Sequence, residues 1–461
     1  MAQRHVHLLG IGGIGVGTVA SLLLSRGDRV TGSDIQENAM IRDLRARGAE
    51  IVIGHRAENV SSPDCVVYSS AVKPDNPELI AARERGCRVM RRAEMLAALM
   101  AGYEAVTVAG AHGKTTTTGL AIHLLERAGV SPASALGGVP VGGGYDAALG
   151  TGRYFVAEVD ESDGTLLYFR PDISIVTNID REHLDFYRGW DHLCEIYGQY
   201  LSQTSQDGLA ILYGDDEHLR EAARQARCRI VFYGERGDSD IRLLNAEQTS
   251  SGLRIHAVTR RGEWRDVRVG LYGRHNALNA LAVIALAEQL DLPKAVVLRA
   301  LACFSGVSRR FEMKARAKGL TVVDDYAHHP TEIRSTVGTA RDCGARRVIA
   351  VFQPHRYSRF QSLWDDFLCC FDQADEIIVT DVYAANEMPN GTASSEAFCQ
   401  AMRVRSVKPV HYIFKDDIAD FLEDRVDEGD YVLFLGAGDI TRVAADFAGR
   451  VTAAEISNKV Q

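Results

Sequence analysis

Short runs of aliphatic and β-branched residues alternate with longer stretches in which apolar positions recur every three or four residues, and the alternation continues through almost the whole chain. That rhythm predicts parallel sheets covered by helices, the α/β class. It falls into three units. Residues 1–103 open with a strand at 5–9, a helix carrying Val19, Leu22, Leu23 and Leu24, and a second strand at 29–31. Residues 104–307 contain strands at 105–109, 154–159 and 173–178, with a helix that sets Leu120, Leu124 and Leu125 on one face. Within this unit, residues 241–270 alternate apolar and polar positions, a pattern that reads as a small antiparallel insertion ahead of a helix at 276–289. Residues 308–461 supply strands at 320–323, 347–352, 376–380 and 431–435.

Composition narrows the function. Hydrophobic residues make up 46% of the 461 positions and charged residues 25%, an ordinary globular balance. The formal charge of −9, with no basic tail, argues against a nucleic-acid partner. Small anions are still allowed, because glycine loops and helix N-termini recruit phosphate locally. The nine cysteines are odd in number and lack CxxC spacing, so neither a disulfide framework nor a zinc site is expected. The opening MAQRHVHLLGIGGIG is too broken by glycine for a signal peptide, and no apolar run approaches the ~20 residues of a membrane span. A cytoplasmic protein with no membrane partner is expected.

Two glycine loops carry the strongest chemical signals. Gly10-Ile11-Gly12-Gly13-Ile14-Gly15 follows a strand and opens a helix, with Asp34 near the end of the next strand, the layout of a dinucleotide fingerprint. A nicotinamide enzyme would use Asp34 on a ribose, although its neighbours Gly32 and Ser33 fit a turn equally well. Gly110-Ala111-His112-Gly113-Lys114-Thr115-Thr116 stands between a strand and a helix of the second unit, shorter between its glycines than the Walker form. Backbone N–H groups there can cradle phosphates, Lys114 can neutralise the β and γ groups, and the Thr115 hydroxyl can bind Mg²⁺. Two such loops on separate units imply two nucleotide ligands.

Carboxylates, amides and cations follow the strands. Glu158 stands where a cation bridging phosphates needs an oxygen ligand, whereas Asp160, Glu161 and Asp163 read as a solvated acidic turn. His183 lies in the run Asn178-Ile179-Asp180-Arg181-Glu182-His183-Leu184-Asp185 after the next strand. Asn276 and Asn279, three apart at a helix start, either cap that helix or read a purine edge. Arg309-Arg310 is either a charged linker or the source of an arginine for a transferring phosphoryl group. Asp325-Tyr326-Ala327-His328 and His355-Arg356-Tyr357-Ser358-Arg359 bunch groups suited to a carboxylate substrate.

Together GIGGIG, SSAVKPDNPE, RRAEML, GAHGKTTTT, EVDESDGT, GRHNALNA, GVSRRFE, DDYAHHPTE, FQPHRYSR, DVYAANE and LGAGDI resemble the Mur ligase family across essentially the whole chain. DDYAHHPTE and FQPHRYSR resemble its L-alanine-adding branch in particular. The resemblance implies a Rossmann-like N-terminal domain for the UDP end of UDP-N-acetylmuramate, a central P-loop ATPase domain, and a Rossmann-like C-terminal domain for the amino acid and closure. It sets Gly12, Gly13, Ile14, Gly15, Asp34, Ser69, Ser70 and Asn76 along the uridine nucleotide. ATP would meet Gly110, Ala111, His112, Gly113, Lys114, Thr115, Thr116, Asn276, Asn279, Arg310 and Asp325, with Mg²⁺ on Thr115, Glu158 and His183. Alanine and the muramyl carboxylate would meet Tyr326, His328, His355, Arg356 and Arg359.

The implied chemistry is peptidoglycan precursor synthesis: the lactyl carboxylate takes the γ-phosphoryl group of ATP, and L-alanine displaces phosphate from the acyl phosphate. Lys114, Arg310 and His328 are its catalytic residues, and the protein is expected to be a monomer or weak homodimer. Ala111, Glu182 and Asn386 depart from the family's usual residues, and no lysine lies between Lys114 and Lys294 to be carbamylated as in some sibling ligases. The alternatives are a ligase that recycles a preformed murein tripeptide and an NAD(P)-dependent oxidoreductase, which leaves the Lys114 loop unexplained.

Overall fold

A computed structural model describes residues 3–143, 147–183, 186–317, 319–385, 387–389 and 393–459. Leu184, Asp185 and Asn386 lie outside the described residues. The chain forms two compact bodies. One comprises Met1–Asn245, Ile255–Val269 and Ala277–Ser305, the other Ala246–Arg254, Gly270–Asn276 and Gly306–Gln461.

The first body contains two sheets. Strands β1 (His5–Leu9), β2 (Arg29–Asp34), β3 (Glu50–Ile53), β4 (Cys65–Tyr68) and β5 (Arg88–Arg91) are all parallel, in the order β3-β2-β1-β4-β5. The order reverses between β1 and β4, the switch point outside which ligands of open α/β sheets bind. β2 runs on to Asp34, so Gly32 and Ser33 are strand residues rather than a turn. Gly32 allows β2 to lie against β1: a Cβ there would stand 2.6 Å from the Leu8 carbonyl oxygen.

The second sheet has ten strands. Six run parallel in the spatial order Arg229–Gly234, Leu209–Tyr213, Ile173–Val176, Glu104–Ala109, Tyr154–Glu158, Ala133–Ala135. Its interior strands are continuous apolar runs because both faces are covered, and Leu120, Leu124 and Leu125 of the helix Lys114–Arg127 are fully buried. The alternating stretch forms Ile241–Thr249, Gly252–Thr259 and Gly262–Val269, whose two-residue connections make consecutive hairpins. These strands extend the central sheet through Tyr233↔Ile241 and Gly234↔Arg242 instead of forming a layer of their own.

The second body is built on a sheet ordered Glu312–Ala317, Leu320–Asp325, Asp430–Leu435, Arg347–Phe352, Glu376–Val379, Val410–Tyr412. The first pair is antiparallel and the rest are parallel. The antiparallel edge, Glu-Met-Lys-Ala-Arg-Ala, alternates apolar and polar residues but has no β-branched or aromatic side chain to announce it as a strand. Phe352, Phe360, Phe367, Phe371 and Phe398 fill the core on one face, and Ile349, Val351, Phe434 and Phe447 fill the other.

Candidate active site

The strand Glu104–Ala109 leads into Gly110, and the helix Lys114–Arg127 begins four residues after that glycine. Gly110 and Gly113 have φ of 125° and 83°, in the region that glycine alone enters freely. Close approach reinforces the choice, since a Cβ on Gly113 would lie 2.7 Å from Asn279 Oδ1. The end of the neighbouring strand braces the loop. Ala111 N donates to the Asn178 carbonyl (3.1 Å) and His112 N to Asn178 Oδ1 (2.8 Å). Thr177 Oγ1 and Asn178 Nδ2 donate to the His112 carbonyl (2.5 and 3.0 Å), and His112 Nε2 meets Asp180 Oδ2 at 2.8 Å.

Lys114 Nζ donates to the carbonyls of Gly110 (2.5 Å) and Ala111 (3.2 Å) and to both oxygens of Glu161 (2.9 and 3.0 Å). Glu161 is buried, which corrects the solvated-turn reading of Asp160, Glu161 and Asp163. The other two acids fold the segment onto itself: Asp160 accepts from Ser162 N and Oγ, and Asp163 from Thr165 N and Oγ1. Burial opposes the charge on Lys114, yet Glu161, Asp160 and Glu182 hold its pKa above the usual lysine value. Burial pushes the Glu161 carboxyl up to about 7 against the pull of Lys114.

Thr115 and Thr116 lie buried in the first turn of this helix. Thr115 Oγ1 donates to Glu158 Oε1 and Gly137 N to Glu158 Oε2, each at 3.0 Å. Gly137 leaves room for that carboxylate, because a Cβ would fall 2.5 Å from Oε2. His183, at φ 57°, brings a ring nitrogen within 4.8 Å of carboxylate oxygens of Asp160 and Glu161. These are mostly hard oxygen donors, the set that suits Mg²⁺.

At the first glycine loop, Gly10 N and Ile11 N both donate to the Ser33 carbonyl (2.9 and 3.2 Å), and Gly12 N donates to Asp34 Oδ2 (2.8 Å). Asn38 Nδ2 donates to the Gly12 carbonyl (3.0 Å), and a Cβ on Gly12 would strike Asn38 Nδ2 at 2.8 Å. Asp34 therefore braces the loop, a different task from the ribose contact of a nicotinamide site. Gly13 caps the helix Ile14–Ser25, Ile14 is exposed, and a Cβ on Gly15 would meet Arg92. After β4, Ser69 Oγ accepts from Ala71 N, Ser70 is exposed, and Asn76 Oδ1 caps the helix Pro77–Glu84 through Glu78 N and Leu79 N. The predicted uridine residues thus follow β1, β2 and β4, around the switch point.

In the second body, Asp325 is fully occupied: Oδ1 accepts from Ala327 N (2.8 Å), and Oδ2 accepts from Phe311 N (2.8 Å) and Thr336 Oγ1 (3.1 Å). Burial raises its pKa to about 6 against the nearby Arg310. Arg309 and Phe311 have φ of 61° and 49°, so Asp325 clamps a strained turn that presents Arg310. The guanidinium carbons of Arg309 and Arg310 each lie 5.0 Å from the Tyr326 ring centre. Asn276, opening the helix Arg274–Gln289, donates through Nδ2 to the Tyr272 carbonyl (2.7 Å).

His328 Nδ1 donates to the Tyr326 carbonyl (2.9 Å), and its ring lies 5.8 Å from that of His355. His355 stacks on Tyr383 and accepts at Nδ1 from Arg359 Nη1 (3.1 Å). Burial, then His328, Arg359 and Arg356, press its pKa down to about 3. Arg356 is paired with Glu387 (2.6 Å), which also accepts from Ser358 N and Oγ. Tyr326, His328, His355, Arg356 and Arg359 therefore gather at the carboxyl ends of two strands of one sheet.

Gly137, Tyr383 and Glu387 were not assigned a role from the sequence, and Glu161 was read as a solvated turn residue. In composition Glu161 cannot be told from Asp160 and Asp163, yet it is the one of the three that is fully buried.

Family models of the Mur ligases match three consecutive segments. These are the Mur ligase family catalytic domain over residues 5–104, the Mur ligase middle domain over 108–287, and the Mur ligase glutamate ligase domain over 309–438. The chain belongs to the Mur ligase family. It is 43% identical over 448 residues to a UDP-N-acetylmuramate–L-alanine ligase of Anaeromyxobacter sp. strain Fw109-5, spanning 97% of this chain and 98% of that relative. A relative of the same name from Myxococcus xanthus is 44% identical over 447 residues, 96% of this chain and 95% of that one. The crystal structure of a UDP-N-acetylmuramate-alanine ligase from Thermotoga maritima superposes with a TM-score of 0.84 at 29% identity, covering 98% of this chain and all of that one.

Proposed function

We propose that this chain is an ATP-dependent ligase that joins L-alanine to the lactyl carboxylate of UDP-N-acetylmuramate, giving UDP-N-acetylmuramoyl-L-alanine, ADP and phosphate. Identities of 43% and 44% to relatives of that name over nearly the full length carry the reading. Two glycine loops on separate sheets supply it with two nucleotide sites.

A carboxylate is a poor electrophile, and its acyl phosphate is a good one. Making that acyl phosphate brings two anions together, so the residues have to neutralise charge and hold an in-line geometry. Lys114, fixed in its cationic form, meets the β- and γ-phosphates, while Asn276 and Asn279 meet the adenine. Arg310 meets the transferring phosphoryl group, and Asp325 serves it by clamping its turn. Glu158, Thr115 and His183 are the residues that would hold Mg²⁺, which when bound supplies further charge neutralisation at the phosphates. Arg356 and Arg359 orient carboxylates. His328, oriented by the hydrogen bond from Nδ1 to the Tyr326 carbonyl, is the base for the alanine ammonium proton. The amine then attacks the acyl carbon, and phosphate leaves.

No described helix is long and apolar enough to cross a membrane. The reading makes this a bacterial cytoplasmic enzyme, a monomer or weak homodimer. It is tested by ADP release with ATP, Mg²⁺ and UDP-N-acetylmuramate, with and without L-alanine, followed by mass analysis. Alanine-dependent ADP and a product heavier by one alanyl residue are expected; turnover with a murein tripeptide but not alanine would make it a recycling ligase.

A further inference from the structure

Arg309 precedes the arginine of phosphoryl transfer, yet its side chain is committed to another task. Nη2 donates to two carbonyls of the glycine loop after the strand Asp430–Leu435, those of Gly436 (2.5 Å) and Gly438 (3.1 Å). The guanidinium carbon lies 5.0 Å from the Tyr326 ring centre, and the Arg309 carbonyl accepts from Tyr326 N (2.6 Å). Nε faces Oδ1 of the fully buried Asp324 at 3.8 Å, and neither atom has a hydrogen bond among the described residues. The other Asp324 oxygen accepts from Thr441 Oγ1 (2.5 Å). A planar guanidinium can stack on a ring and donate in its own plane at once, which an ammonium cannot.

These contacts close a circuit of side chains. Tyr326 meets His328 edge to face (5.2 Å between ring centres), His328 meets His355 (5.8 Å), and His355 stacks on Tyr383 (5.6 Å). Tyr383 lies against Gly438, where a Cβ would stand 2.6 Å from the tyrosine Cγ. The Gly438 carbonyl then returns the circuit to Arg309. The arc from Tyr326 to Tyr383 is thus tied to Arg309 at both ends, at one by stacking and at the other through the glycine loop. Tyr383 is exposed and both histidines are half-buried, so the surrounding core does not by itself hold these rings in place.

We infer that Arg309 is a positioning residue for the amine substrate: by tying both ends of the arc it fixes the orientation of His328 and His355, and with His355 the Arg359 guanidinium bonded to it. Its task is separate from that of Arg310, which meets the transferring phosphoryl group. The inference rests on the ligase reading and deepens it. Loss of the arginine would loosen the amine side of the site and leave the nucleotide loops as they are.

The test is steady-state kinetics and urea unfolding of the full chain for wild type, Arg309→Met and Arg309→Lys. Arg309→Met strips the buried Asp324 of its cation and should be destabilised, so the lysine variant carries the decision. It keeps a positive charge beside Asp324 and should unfold close to wild type. One ammonium cannot stack on Tyr326 and serve two carbonyls, so its KM for L-alanine should still rise about tenfold, one hydrogen bond's worth. Its kcat at saturating alanine, and its KM for ATP and for UDP-N-acetylmuramate, should stay within about twofold. Nitrogen NMR of histidine-labelled protein should show the His355 ring signals shifted or broadened in Arg309→Lys. An unchanged KM for alanine, a fall in kcat in its place, a joint rise of KM for all three substrates, or unchanged His355 signals would each overturn the inference. Failure of wild type to turn over alanine would sink the ligase reading, while the NMR comparison would still decide whether Arg309 holds the arc.

Discussion

Replacing Lys114 with methionine keeps the length of the side chain and removes its charge, so two consequences can be separated. Glu161 then stands buried without the ammonium that both its oxygens accept from. Breaking a buried pair on one side costs about 3–5 kcal/mol, whereas replacing both partners with neutral groups costs far less. Lys114→Met should therefore be strongly destabilised at pH 8, and Lys114→Met/Glu161→Gln should return most of that loss. The pH dependence has a definite sign. Burial holds the Glu161 carboxyl at about 7 even beside Lys114. An acid raised in the fold is neutral below that value, so the deficit of the single variant should shrink as pH falls toward 5 and be largest above 7. Activity should not follow stability: both variants lack the phosphate counter-charge and should lose about 10³-fold in kcat while still binding the UDP substrate. Urea unfolding at pH 5 and 8, alongside ADP release, measures both. A single variant as stable as wild type at pH 8, or a double variant that regains turnover, would refute the reasoning.

Gly137→Ala should mimic loss of Glu158, since the added methyl would fall 2.5 Å from Oε2; both it and Glu158→Gln should raise the Mg²⁺ concentration needed for half-maximal ADP release by about tenfold or more. His355 is held neutral with a pKa of about 3, so the unfolded chain binds a proton that the fold refuses, and stability falls as pH drops below the usual histidine value. By pH 5 wild type should have lost about 2 kcal/mol more than His355→Phe does from pH 7, in matched urea melts. Asp325→Asn loses the ability to accept on both oxygens, which should lower kcat through Arg310 with little change in UDP-substrate affinity; an affinity loss matching the kcat loss would assign Asp325 another role.

The loops were legible because their chemistry is local. Gly110 and Gly113 are forced by positive φ, and Lys114 opens a helix directly after a buried strand, so the seven-residue run carries its own geometry. The acidic run after Glu158 was misread because burial of Glu161 depends on where the chain turns back. Gly32 in β2 fits a turn equally well by residue type, because a glycine marks either a turn or the close backbone approach found here within a strand. His7 and Ser33, polar residues at buried strand positions, both bond the buried carboxylate of Glu78, which lies up to 71 residues away, too far for spacing to relate them. The edge strand Glu312–Ala317 buries only the small side chains of Ala315 and Ala317, a weak apolar signal for a strand held largely by its ladder to Leu320–Asp325.

The strand Asp430–Leu435 lies between Leu320–Asp325 and Arg347–Phe352, although it is made more than seventy residues after either. During synthesis the earlier strands emerge with a gap where their common neighbour belongs. The first body can fold on the ribosome while the second waits for nearly the last of its chain, so a message cut short before codon 430 would yield a protein with an intact nucleotide-loop half and an open, aggregation-prone sheet beyond it.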